Sequence, residues 1–212
     1  MRQLLMVFSL VIAAEGLWVL IPQLLNPSTN VSIGKRDEAA CSADAVRRSE
    51  LAARIGAIRG DLWANYFYCL YSPNIRDDKS YLSSDAAANA LKACDRALSA
   101  APVSPILWAL CARACSSSRL DCTGRFIRMS FYTGPYVKAA ASARLDAAVR
   151  LDLTKDPEIE AFVIGDIRLM LTERPALKSE VLAAYNAALP QNRLILSSAI
   201  TETDSSLLGG HL

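Results

Sequence analysis

The side chains that most often carry catalysis are sparse in this sequence and are not grouped. The single histidine, His211, is the next-to-last residue and follows two glycines, so no serine or cysteine is predicted to have an imidazole base nearby. Asp77 and Asp78 are adjacent but lie in a polar, turn-rich stretch. In such a stretch, two adjacent acids more often form a solvated turn than a catalytic pair. No glycine-rich phosphate loop is present. The residues therefore predict no catalytic site and no cofactor, and a protein that is not an enzyme.

The six cysteines could support thiol chemistry, but their spacing restricts it. Cys115 and Cys122 flank a polar turn and are candidates for a disulfide, with two free thiols as the alternative. Cys94 and Cys111 fall at apolar helix positions and are predicted to be buried as small hydrophobic residues. Because there is no CxxC pair and no second histidine, no metal site is predicted.

The amino-terminal stretch Leu4–Leu25 is apolar, and Glu15 is its only charged residue. A helix needs about 20 apolar residues to cross a bilayer, so this stretch predicts a transmembrane anchor. A cleaved signal peptide with Arg2 before an apolar core at Leu4–Ala14 is the alternative, but the apolar run continues past any cut near Ala14. With Arg2 inside, the rest of the chain is expected on the outer, periplasmic face.

After the anchor the sequence predicts helices throughout. Apolar residues recur at helical spacing, no segment alternates with period two, and Pro and Gly fall at helix boundaries. The expected fold is all-α, with about nine helices and no sheet. The expected organisation is an anchor at 1–26, a linker at 27–36, a helical domain at 37–201 and a flexible tail at 202–212. Helices are expected at Asp37–Ile58, Leu62–Tyr71, 84–101, 105–116, Gly124–Tyr132, Val137–Leu151, 156–174, Leu177–Leu189 and Leu194–Ile200, with a break at Gly60, a stop at 72–74 and an insertion at 73–83.

Small residues, a proline and a tryptophan recur at helix-turn intervals between Ser84 and Ser116. Small side chains on one helix face allow another helix to approach closely. The pattern resembles the tetratricopeptide repeat, which implies an antiparallel helix-pair array, an α-solenoid. The interval between Trp63 and Trp108 is 45 residues, longer than the family's repeat of about 34 residues. The residues that carry the resemblance are Ala90, Cys94, Ala97, Pro102, Trp108 and Ala112.

The resemblance also implies a concave, partner-binding surface formed by the first helix of each repeat. Aromatic residues are dense between Trp63 and Tyr71, and a stripe of this kind is more often core than a ligand shelf. The positions that face the concavity in the family correspond here to Asp61, Ala64, Tyr68, Tyr71, Ile106, Ala109, Arg113 and Ser116.

The charge pattern limits the partners. The net charge of +2 gives no nucleic-acid footprint. Single basic residues along the later helices could form a cationic strip, although a solvated face paired with nearby acids is the commoner arrangement. These residues are Arg113, Arg119, Arg125, Arg128, Lys138, Arg144 and Arg150.

Together these observations favour a membrane-tethered, non-enzymatic scaffold or adaptor that binds a protein partner and contacts the lipid bilayer through residues 4–25. One alternative is an accessory component of envelope polysaccharide synthesis or export, for which Tyr66, Tyr68 and Tyr71 should be exposed to a carbohydrate polymer. Another is a thiol-responsive domain that uses Cys111, Cys115 and Cys122.

Overall fold

The computed structural model describes residues 2–25, 41–75, 84–118 and 120–208. The predicted linker at 27–36, Asp77 and Asp78, most of the predicted insertion at 73–83, and His211 lie outside the described residues. All regular structure within the described residues is helical, which confirms the predicted all-α class for this part of the chain.

Ten α-helices and three short 3₁₀-helices occur in the described ranges. The α-helices are α1 (Arg2–Leu25), α2 (Ala43–Ile55), α3 (Gly60–Ile75), α4 (Ser84–Ala100), α5 (Pro105–Ser117), α6 (Thr123–Thr133), α7 (Lys138–Ala148), α8 (Pro157–Glu173), α9 (Lys178–Ala187) and α10 (Arg193–Thr203). The 3₁₀-helices are Leu153–Lys155, Pro175–Leu177 and Pro190–Asn192.

Local capping residues explain where three of the helices begin. Ser42, Ser104 and Asp156 each accept a hydrogen bond from the backbone N–H three residues later, at 3.2, 3.4 and 3.2 Å. Such bonds satisfy donors that have no partner within the helix. In α5 and α8 a proline follows the cap directly, where its missing N–H costs nothing.

The boundaries of α2 and α3 differ from the prediction. Among the described residues, α2 begins only at Ala43, after its Ser42 cap, and it ends at Ile55 rather than Ile58. Gly60 does not break a helix: it is the first residue of α3. A Cβ atom at Gly60 would lie 2.9 Å from the Cβ of Ala100, so glycine is needed here for close helix packing. The predicted stop at 72–74 is also wrong, because α3 continues to Ile75.

The chain forms two compact units. The first contains α1, α2, α3 and residues 88–102, which include most of α4 and the two residues after it. In this unit α2 packs against both α1 and α3. Ala52, Ala53 and Leu62 form a buried cluster, against which Leu25 at the end of α1 also packs. A disulfide between Cys41 and Cys69 joins the segment before α2 to α3.

The second unit contains α5 to α10. Helix α5 packs against α6 and α7, α7 against α8, and α8 against α10. Alanines on α5 and α7 are almost fully buried, which allows these helices to approach closely. The predicted repeat includes residues of both units, and its stacking into a solenoid stays a prediction.

Asn192 fixes the packing of the carboxyl-terminal helices in the second unit. Its side chain is fully buried. It accepts a hydrogen bond from the N–H of Leu153 (3.1 Å) and donates to the carbonyls of Val149 (3.1 Å) and Leu151 (2.6 Å). One amide thus satisfies three backbone groups in the segment that follows α7, where no helix supplies partners.

We expect Asn192→Ala to lower the free energy of unfolding by about 2–4 kcal/mol, because the N–H of Leu153 and the carbonyl of Leu151 lose their partner. The measurement is chemical denaturation of the full-length protein in detergent, followed by circular dichroism. Asn186→Ala is the matched control, because Asn186 is exposed on α9. Equal losses in the two variants would contradict this role for Asn192.

Candidate functional site

A buried ion pair between α7 and α8 organises the second unit. Arg144 and Asp166 are each 1% exposed. The guanidinium donates from Nε to Oδ2 (2.8 Å) and from Nη2 to Oδ1 (2.6 Å). Two parallel bonds of this kind fix both the distance and the rotation of the two groups. The pair therefore holds α7 and α8 in one register.

Arg144 also binds the turn between α6 and α7. It donates to the carbonyls of Gly134 (3.1 Å) and Pro135 (3.2 Å). Its guanidinium lies over the ring of Phe131, 4.3 Å from the centroid. A single side chain thus connects the end of α6, the following turn and α8.

Burial shifts the pKa of Asp166. Desolvation raises the pKa of Asp166 to about 6, while the hydrogen bonds and the charge of Arg144 act in the opposite direction.

Stacked aromatic rings extend this buried network to the surface. Phe131 on α6 stacks on Phe162 of α8, with ring centroids 3.9 Å apart. Tyr132 packs edge-on against Phe162 at 6.2 Å. Although it rests on these rings, Tyr132 is 62% exposed. One side of the Tyr132 ring therefore packs on the stacked rings, and the rest of the ring is exposed to solvent.

Polar contacts fix the outer edge of the same surface. The Tyr132 hydroxyl donates to Glu158 Oε1 at 2.5 Å, and Arg128 donates from Nε to Glu158 Oε2 at 2.8 Å. Arg128 also pairs with Asp156, the residue that caps α8. The carboxylate of Glu158 raises the pKa of Tyr132 by accepting its proton in a hydrogen bond.

We call this region the Tyr132 surface and define it by five residues: Arg128, Tyr132, Tyr136, Asp156 and Glu158. Tyr136 follows α6 in the turn that Arg144 binds, and it is 83% exposed. Neither tyrosine is among the predicted site residues. The available signal was their position beside Gly134-Pro135, since a turn between two helices leaves large side chains in solvent.

The four predicted partner-binding residues in the first unit differ in exposure. Asp61 is exposed and pairs with Arg59 at 2.6 Å. Ala64 and Tyr68 are half-buried. Tyr71 is 3% exposed and stacks on Phe67, so its ring lies in the interior of the unit.

The four predicted residues on α5 mostly contact the second unit itself. Ala109 is fully buried. Arg113 pairs with Asp146 on α7 at 2.5 Å, and Ser116 donates to the carbonyl of Ala147 at 3.2 Å. This face of α5 therefore packs on α7; Ile106 is half-buried. Partner binding by the accessible members of the eight predicted residues stays a prediction.

The basic residues of the later helices do not form a uniform strip. Arg113, Arg128, Lys138 and Arg150 pair with acidic side chains. Arg125 lies over the ring of Phe126. The structure corrects the placement of Arg144 on a solvated face, because its guanidinium is buried; Arg119 lies outside the described residues.

All six cysteines are disulfide-bonded. The Cys115–Cys122 disulfide joins the end of α5 to the residue before α6, and so closes the polar turn that the sequence singled out. Cys94 and Cys111 are fully buried, as expected, but the view of them as hydrophobic fillers is incomplete because both are disulfide-bonded. No group of three His, Cys, Asp or Glu side chains that could hold a metal ion occurs within the described ranges.

Helix α1 is the candidate for contact with a membrane. The segment Gln3–Leu25 is long and apolar enough to span a bilayer. Its side chains from Gln3 to Ile21 are exposed, whereas Pro22 is buried and Leu25 half-buried against the first unit.

Comparison with known proteins finds no family model, no curated protein and no solved structure that matches this chain. The class of this protein therefore follows from its structure alone. In the described residues the chain is disulfide-bonded and all-helical, and its amino-terminal helix is long and apolar enough to span a membrane.

We expect Arg144→Met to lower the stability of the second unit by about 3–5 kcal/mol, because it leaves the Asp166 carboxylate buried without its partner. The double variant Arg144→Met with Asp166→Leu should recover much of this loss, since neither charge then remains. Denaturation midpoints of the single and double variants measure the difference. Arg168→Met is the control, because the Arg168–Glu202 pair is exposed and should contribute below about 1 kcal/mol. A double variant no more stable than Arg144→Met would contradict this account.

The raised pKa of Asp166 predicts a pH dependence of stability. Between its ordinary value of 3.8 and about 6, the folded state holds a proton that the unfolded chain has released. This contribution is complete below pH 3.8 and is lost as the pH rises to about 6. The unfolding free energy of the wild type relative to Asp166→Asn should therefore fall over this interval, by up to about 1.4 kcal/mol per pH unit. A difference that is constant with pH would contradict the assignment.

Proposed function

We propose that the protein is a membrane-tethered, non-enzymatic scaffold that holds a protein partner on the outer face of the membrane through the Tyr132 surface. Helix α1 is the tether in this proposal. The second unit carries the binding surface. The observation that carries the proposal is an exposed tyrosine, Tyr132, held by Phe162 and Glu158 next to the buried Arg144–Asp166 network.

The exposure of α1 supports the tether. From Leu4 to Leu24, the leucine, isoleucine, valine and phenylalanine side chains of this helix are between 41% and 83% exposed. Soluble proteins rarely expose a continuous apolar surface of this extent. A bilayer removes it from water without any further protein contact.

The disulfides support the outer face. Disulfides persist outside the reducing cytosol and are rare within it. All six cysteines of this chain are paired. Arg2 before the apolar helix also favours an inside amino terminus, which leaves the remaining helices outside. A thiol-responsive role would require a free thiol, and all six cysteines are disulfide-bonded.

The composition and rigidity of the Tyr132 surface support a protein partner. Tyrosine and arginine are enriched among residues that dominate protein–protein affinity. Tyr132 is positioned by a ring contact and a hydrogen bond, so little side-chain freedom remains to be lost on binding. A carbohydrate polymer was expected to require Tyr66, Tyr68 and Tyr71 in solvent. Tyr71 is buried and the other two are half-buried, which favours the protein partner.

The experiment places a photo-crosslinking amino acid at position 136 of the full-length protein in its own cells. Position 194 is the control, because Leu194 on α10 is similarly exposed, at 79%. We expect a discrete protein adduct at position 136 that is absent at 194. Tyr132→Ala should weaken the adduct, because it removes an exposed ring of the proposed binding surface, whereas Tyr132→Phe should keep most of it.

Identical adducts at positions 136 and 194 would contradict a specific surface. A polydisperse carbohydrate adduct at position 136 would replace the protein partner by the polysaccharide alternative.

A further inference from the structure

The turn between α2 and α3 lies beside the carboxyl-terminal third of α1. The indole Nε1–H of Trp18 donates to the carbonyl of Ile55 at 3.0 Å. Leu25, seven residues later, packs against the cluster of Ala52, Ala53 and Leu62, which belongs to α2 and α3. The end of α2 and the turn that follows Ile55 therefore lie beside the last turns of α1.

The length of α1 gives the depth of this turn. At 1.5 Å per residue, Trp18 lies about 10 Å before the end of the helix. If a hydrocarbon layer of about 30 Å begins at Leu4, it ends about 20 residues later, beyond Trp18. Trp18 lies about six residues before that edge of the layer, so the turn beside it lies about 9 Å inside the edge and contacts lipid.

The surface of the turn is apolar. Ile58 is 74% exposed, and Ala57 before it is also exposed. The basic residues at its edge, Arg54 and Arg59, pair with Glu50 and Asp61. Arginine side chains at this level can extend to lipid headgroups while apolar side chains point inward.

The backbone of the turn is unusually well satisfied. The Ile55 carbonyl accepts from Trp18, and the Ala57 carbonyl accepts from the indole of Trp63 at 3.0 Å. The Gly56 carbonyl accepts from the N–H of Arg59 at 2.8 Å. Carbonyls after the end of a helix are normally left to water. Partners within the protein are required where water is scarce, as at the edge of a bilayer.

We infer that the α2–α3 turn, Gly56–Arg59, inserts Ile58 into the boundary between headgroups and acyl chains beside α1. The first unit is then held to the bilayer at two places, by the spanning helix and by this turn. The inference rests on the proposed membrane tether. The occupant of the apolar tip is lipid, since the tip is continuous with the helix that enters the bilayer.

The test is fluorescence quenching in vesicles of phosphatidylcholine and phosphatidylglycerol whose acyl chains are brominated near the glycerol end. A genetically encoded environment-sensitive fluorescent amino acid is placed singly at position 10, 58 or 194 of the full-length protein. Leu10, Ile58 and Leu194 are all exposed aliphatic residues, at 69%, 74% and 79%. Position 10 reports the tether, and position 194 on α10 is the matched control outside the turn.

We expect loss of fluorescence at positions 10 and 58 and little loss at 194. Lipid brominated at the acyl chain end should quench position 58 less than lipid brominated near the glycerol, as expected about 5–10 Å into the headgroup and acyl boundary. Quenching at position 10 without quenching at 58 would overturn the inference while the tether stands. No quenching at position 10 would overturn the tether itself. Equal quenching at 58 and 194 would show general proximity to lipid and would also overturn the inference.

Discussion

The second unit depends on one interaction, the buried pair of Arg144 and Asp166. Removing two charges from water costs several kcal/mol per ion, and the structure recovers this only through close and correctly oriented partners. Arg144 uses both edges of its guanidinium, toward Asp166 and toward the carbonyls of Gly134 and Pro135. Because arginine does not lose its proton, alternative packings of α7 and α8 that separate the pair are strongly disfavoured.

This constraint reaches the candidate site through contacts rather than through the backbone alone. The guanidinium supports Phe131, Phe131 stacks on Phe162, and Phe162 supports Tyr132. A tyrosine on a free helix end would sample several rotamers and lose that freedom on binding. Here the core determines one orientation of the ring, and Glu158 determines the position of its hydroxyl.

Most of the helices could be predicted, because their signals are local. Ser104 and Asp156 mark helix starts through short-range hydrogen bonds that any chain with this sequence can form. The boundary at Gly60 could not be read in the same way. Glycine breaks helices on average, but this one begins α3 because Ala100 lies too close for a side chain. That requirement arises only after folding.

The buried pair was missed for a related reason, although a signal existed. Arg144 has Ala140, Ala141, Ala147 and Ala148 one turn away on either side, all of them buried. A charge surrounded by small apolar residues on its own helix face indicates burial with a partner. What the sequence does not contain is the identity of that partner, since Asp166 lies 22 residues away on another helix.

The two units meet the same physical requirement with different chemistry. A polar group taken away from water needs a partner, and no buried side-chain nitrogen or oxygen in the part of the chain described lacks one. In the second unit the donors are a guanidinium and the amide of Asn192. In the first unit the indoles of Trp18 and Trp63, which are only partly buried, donate one bond each to a backbone carbonyl and have no charge to desolvate. An indole is uncharged and largely apolar, so it can donate a hydrogen bond beside an apolar helix at little desolvation cost. A guanidinium needs a counter-ion, which the core of the second unit supplies.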